Sequence, residues 1–257
     1  QGLLPFLARH LLIVDGWRHA YLLLGILYLA VMLPLALLIR NAPKPGAAAA
    51  AAAAPQPYAR SRVQVLAILC IAVVFCCVCM ATPIMHVVAL GSDIGLGGRA
   101  SAGLLATMMV AGIVGRIAFG SVADRFGSLR SYIVASAGQT SLAFLFPYAG
   151  SGLALYVLAA TFGLVFSGAM SSLIACGREY SPAGRTGLSI GVVMFAGWVG
   201  MAAGAWQGGL FYDLCGDYFQ SFSNASFAGV VNLALLALLY TYTINLRPWV
   251  PRPRTAP

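Results

Sequence analysis

The chain has 257 residues, of which 61% are hydrophobic and 8% charged, with a mean hydropathy of +0.89. A water-soluble domain carries about 25% charged residues, so this sequence lacks the polar surface to cover a globule and fits a lipid solvent instead. The net charge of +9 does not point to nucleic acid, because the basic residues sit in short gaps between apolar runs rather than on one aromatic-studded face.

Gln1 opens the chain without a signal-peptide pattern, and residues 2–14 form an apolar stretch shorter than the roughly 20 residues that a span needs. This predicts a start in mid-helix, with earlier helices missing. Apolar runs of spanning length follow at about 19–40, 63–90, 100–122, 131–149, 152–176, 187–211 and 223–246. Each is long enough to cross about 30 Å of hydrocarbon as a helix, and no short alternating segments of a β-barrel occur. Between the first two lies the one low-complexity segment, 41–62, where eight alanines are flanked by prolines. It reads as a linker between helical bundles, because proline bars a continuous helix and nothing there can build a core.

Basic residues orient the alternation. With 41–62 in the cytoplasm, Arg40, Lys44, Arg60, Arg62, Arg125, Arg130, Arg178, Arg185, Arg247, Arg252 and Arg254 all fall inside, as does the tail 247–257. Arg9, Arg18 and Arg99 fall outside with Asp15, Asp93, Asp213 and Asp217, and Arg116 is left within a span. The bias matches the positive-inside rule. The six cysteines, Cys70, Cys76, Cys77, Cys79, Cys176 and Cys215, show no array with histidine or acidic neighbours, so they read as reduced packing residues. No metal and no cofactor is expected, and no constellation of an intramembrane enzyme stands inside a span.

The most specific passage is Gly115-Arg116 through Gly120, Asp124-Arg125, Gly127 and Arg130. Glycines allow a tight turn and close helices. Asp124 can cap the next turn or pair with a basic group, and such a cluster can latch the inward face shut as a gate, while the plain alternative is a positive-inside loop with a turn glycine. The run resembles the Gly-x-x-x-Asp-Arg-x-Gly loop of the major facilitator superfamily, in the copy between the eighth and ninth helices. Gly16-Trp17-Arg18-His19-Ala20-Tyr21 is similar to that family's outer turn between the fifth and sixth helices. Arg178-Glu179-Tyr180-Ser181-Pro182, with Arg185 and Gly187, is similar to the loop before the eleventh. The resemblance implies an all-α membrane bundle holding part of helix 5 and helices 6–12. It makes 1–40 the end of an N-terminal bundle and 63–246 a complete C-terminal six-helix bundle.

Within the family, Thr82-Pro83-Ile84-Met85-His86, Asp93-Ile94-Gly95 and Arg116 ahead of Gly120 are similar to the monocarboxylate-porter and oxalate–formate-antiporter branch. That branch implies Arg116 as a ligand of a substrate carboxylate. Proton-coupled animal members often carry an aspartate where this chain has Gly112, which departs from their pattern. Arg116 itself lies about 12 Å inside the helix end, at 1.5 Å per residue before Asp124. A charge there costs at least about 2.5–3.5 kcal/mol, so it needs a cavity, a partner or a snorkelling path to headgroups. Gly112 and Gly120, one turn away on either side, are expected to leave room around it. His86 follows Pro83, whose helix break can line a cavity, or it is an interface histidine bonded to backbone.

Gly200, Gly204 and Gly208 read as a close-packing stripe. Asn224-Ala225-Ser226 matches a glycosylation acceptor close to the membrane. The sequence thus describes a multi-pass secondary transporter in a plasma or inner membrane, with a small, anionic substrate as the leading class. The rivals are an exporter of hydrophobic or cationic compounds and a non-transporting receptor or scaffold. The expected partners are the substrate, the lipid bilayer and the missing N-terminal helices, with no nucleic acid.

Overall fold

The computed structural model describes residues 4–38, 59–182 and 184–246. They form seven helices: α1 (Leu4–Leu38), α2 (Ala59–Asp93), α3 (Gly98–Phe126), α4 (Ser128–Leu145), α5 (Gly152–Glu179), α6 (Thr186–Cys215) and α7 (Phe219–Leu246). The chain is all-α among the described residues. Six of the seven are long and apolar enough to cross a membrane.

The exception is α4. The expected run 131–149 ends its α-helix at Leu145 and continues as a 3₁₀ turn, Phe146–Tyr148, with Pro147 inside it. The reason is polarity directed inward. Ser131, Ser136, Gln139 and Thr140 are all buried. Ser131 and Ser172 hydroxyls lie 2.8 Å apart, and Gln139 Nε2 donates to the Cys76 carbonyl at 3.0 Å. Hydrogen bonds of this kind let a polar stripe replace apolar side chains inside a bundle.

The helix ends follow from single residues. In α1, two helical segments meet at Gly16, whose φ of 72° and ψ of 167° are non-helical and suit glycine. α2 starts at Ala59, so residues 59–62, expected in the linker, are its first turn, and 39–58 lie outside the described residues. α3 and α4 are joined by Gly127 alone, at φ 93°. Only a residue without Cβ reverses the chain so tightly at positive φ. Ser151 caps α5 by accepting from the Ala154 amide, and Gly216 ends α6 in the left-handed region. The expected tail 247–257 also lies outside the described residues.

Two helix pairs form the tightest seams, α3 with α5 and α2 with α6. Between them sits a core that includes Leu69, Leu104, Met108, Tyr132, Phe146, Phe162, Leu173 and Phe222. Phe146 stacks on Phe222 at 5.4 Å and meets Phe162 edge-on at 5.6 Å, geometries that aromatic pairs favour. All six cysteines are free, and Cys76, Cys77, Cys79 and Cys176 are buried in this packing.

Antiparallel succession gives the bundle two chemically different ends. One carries Asp93, Asp213, Asp217 and Arg99 with the α2–α3, α4–α5 and α6–α7 connections. The other carries Gly127, Arg125, Arg130, Arg178 and Arg185 with Asp124 and Glu179. They are called here the Asp93 end and the Gly127 end.

Candidate functional site: a cation on an open helix face

Arg116 sits in the middle stretch of α3 and is exposed. Its neighbours Ile113, Val114 and Ile117 are exposed as well, Ile117 to 70%. The guanidinium makes no hydrogen bond or ion pair among the described residues. Gly112 does not make room for it, contrary to expectation. A Cβ at Gly112 would lie 2.3 Å from Ser167 Oγ and 3.3 Å from the Gly163 carbonyl, so this glycine serves the α3–α5 seam. Nothing stands within 4 Å of a Cβ at Gly120. The α3 surface around Arg116 is therefore open on one side and fused to α5 on the other. α6 presents a comparable open face through Leu188, Phe195, Trp198 and Trp206.

At the Gly127 end, Asp124 and Arg125 are exposed and make no ion pair among the described residues. The polar contacts there run through other residues. Ser128 Oγ donates to Glu179 at the end of α5. Arg130 Nε donates to the Tyr240 hydroxyl of α7 at 3.2 Å and its guanidinium lies 5.7 Å from that ring. Together with Gly127 these side chains line a cleft of about 110 Å³. Glu179, the one glutamate in the chain, stands in the Arg178-to-Pro182 motif noted in the sequence, whereas Tyr240 was not singled out, because a tyrosine near a span end reads first as a headgroup anchor.

His86 is half-buried between α2 and α6. Its Nε2 lies 3.0 Å from the Ala205 carbonyl, which requires a proton on that nitrogen. Its ring is 5.5 Å from that of Tyr218, and it fills the space left by Gly208. The arrangement is the backbone-bonded alternative for this histidine and does not bring it to Arg116. Gly200 and Gly204 lie against α2 backbone, where added Cβ atoms would come within 2.3 Å of the Val74 carbonyl and 2.5 Å of the Val78 carbonyl.

Deeper between α2, α6 and α7 lies a polar chain that periodicity could not reveal. Gln207 Nε2 donates to Thr82 Oγ1 at 2.7 Å, Thr82 donates to the Gly204 carbonyl at 3.3 Å, and Asn224 Nδ2 donates to Gln207 Oε1 at 2.9 Å. Asn224 of the apparent glycosylation acceptor is thus held by the bundle. Tyr132 Oη, Gln139 Oε1 and both side-chain polar atoms of Asn232 are buried without a hydrogen-bond partner among the described residues.

Long apolar helices packed through glycine seams, with a lone cation on an open face, define a polytopic membrane protein. The sequence model of the Major Facilitator Superfamily matches residues 1–205, and the chain belongs to that family. It is a family of membrane transporters, not of enzymes. A search of curated proteins finds no match.

Proposed function

We propose that the chain belongs to a secondary transporter that moves small carboxylates by alternating access, with Arg116 as the substrate's anchor. The observation that carries this reading is the unpaired guanidinium on the open middle stretch of α3. A charge at that depth is retained at a cost of a few kcal/mol only where it faces a cavity or a partner. The open faces of α3 and α6 would form one wall of that cavity, opposite a second bundle, and rocking between bundles would expose it to either side. The guanidinium fork matches a carboxylate with two parallel hydrogen bonds. The resemblance to the monocarboxylate and oxalate–formate branch points to the same class. Coupling through a carboxylate at position 112 is not part of the proposal, because the α3–α5 seam leaves no space for one.

Cells expressing this chain together with the second bundle are expected to take up labelled formate, oxalate or lactate saturably, above control cells, whereas the 257-residue chain alone should give no saturable uptake. Uptake or efflux confined to lipophilic cations would overturn the substrate class.

In this reading the Gly127 end faces the cytoplasm, since it gathers Arg125, Arg130, Arg178 and Arg185. A single cysteine at Asp217 in a cysteine-free background should then react with an impermeant thiol reagent in intact cells. One at Arg125 should react only after permeabilisation. The reverse pattern would invert the topology and place the bundle the other way up.

A further inference from the structure

We propose that the cavity at the Asp93 end binds an organic ammonium group, held between the carboxylates of Asp93 and Asp217 and the rings of Tyr212, Tyr218 and Phe219. The cavity measures about 400 Å³, within the range of small-molecule sites. Its lining holds two carboxylates and three aromatic rings and no lysine or arginine. Asp213 adds a third negative charge close by, felt by both tyrosines.

Tyr218 marks the place as more than an acidic rim. It is 7% exposed, yet its hydroxyl makes no hydrogen bond among the described residues and is not sealed off from the cavity that it lines. A mostly buried ring whose hydroxyl opens unpaired on the cavity offers a bound group one donor and one acceptor. Burial first, then the charge of Asp93, pushes its pKa up, so it stays a neutral donor and acceptor. The Tyr212 and Tyr218 rings lie 4.4 Å apart between centroids, and His86 backs Tyr218 at 5.5 Å. Asp93 and Tyr212 line the same cavity wall. Asp217 is held by accepting from the Phe219 amide at 2.9 Å.

Aromatic faces attract cations through the ring quadrupole, most usefully when the cation is alkylated and poorly hydrated. A small inorganic cation wants six or more oxygen ligands, which a ring-lined wall does not supply. Alkylammonium chemistry fits both halves of the lining. Its source is either a free cation or the choline headgroup of a phospholipid, because the cavity lies at helix ends where headgroups gather.

The test is calorimetric titration of choline into the full chain in phosphatidylglycerol nanodiscs, against empty discs. Saturable binding is expected. The neutral isostere 3,3-dimethylbutan-1-ol should bind about tenfold more weakly, Asp93→Asn should weaken choline about tenfold, and Tyr218→Phe severalfold, at unchanged thermal stability. Repeating the titration in phosphatidylcholine discs separates the sources: weakened choline binding assigns the site to a lipid headgroup, and unchanged binding assigns it to a free cation. No saturable binding in phosphatidylglycerol discs, equal binding of the isostere, or undiminished binding by Asp93→Asn would each overturn the proposal.

Discussion

Arg116→Gln is expected to weaken binding of the transported carboxylate by about 10- to 100-fold, the worth of a charge-assisted hydrogen-bonded pair. Arg116→Lys should fall between wild type and Arg116→Gln, because a lysine keeps the charge and loses the fork. Both variants should reach the membrane in normal amounts, since the side chain is exposed and makes no hydrogen bond or ion pair among the described residues. Asp124→Asn is the informative control: it lies at the Gly127 end, exposed and about 12 Å along the helix from Arg116, so it should alter turnover without altering affinity. The competing account has Arg116 snorkel to headgroups, and then lysine would serve equally well. Direct binding to purified variants separates the two. Unchanged affinity in Arg116→Gln would remove the residue from the site and with it the main physical reason for an anionic substrate.

Much of the architecture was legible because membrane spans announce themselves by length and apolarity. The positions of Gly16, Gly127 and the α6 glycine stripe were legible too, since each does something that other residues do badly. What escaped was the inside of the bundle. α4 read as a plain apolar run, but Ser131, Ser136, Gln139 and Thr140 turn inward, where Ser131 meets Ser172 of α5, Gln139 Nε2 donates to the Cys76 carbonyl of α2, and Thr140 donates back to the Ser136 carbonyl. One chain in isolation cannot say which neighbour will accept a hydrogen bond. Gln207 was passed over for the same reason, although it joins Thr82 to Asn224 across three helices. Gly112 was misassigned because helical spacing places it near Arg116 without saying which neighbour already occupies that side. The ring-lined cavity at the Asp93 end draws on residues from 90 to 219, a juxtaposition that only the folded bundle makes.

Gly163→Ala should be among the most damaging small substitutions in the protein, and it adds one methyl group. A Cβ at Gly163 would stand 2.1 Å from the Met108 carbonyl, and one at Gly115 would stand 2.0 Å from the Leu164 carbonyl. Both obstacles are backbone, so no rotamer change relieves them. α3 and α5 would have to separate, forfeiting dispersion contacts along a seam that also holds Gly112 and Gly168. Overpacking of this kind costs about 1–3 kcal/mol, or roughly 2–10 °C in Tm for a chain of this size. Gly120→Ala, on the same helix with nothing within 4 Å of its Cβ, should be neutral or slightly stabilising, since alanine is the better helix former. Combining Gly115→Ala with Gly163→Ala should cost less than the sum of the two, because the first already parts the helices that the second would push. Gly204→Ala strikes the separate α2–α6 seam, at 2.5 Å from the Val78 carbonyl, and should add to Gly163→Ala almost fully. Thermal unfolding of the purified variants in one detergent reads all of these. A Gly163→Ala protein as stable as Gly120→Ala would mean that the two backbones do not touch, and the α3 face that presents Arg116 would then need a different support.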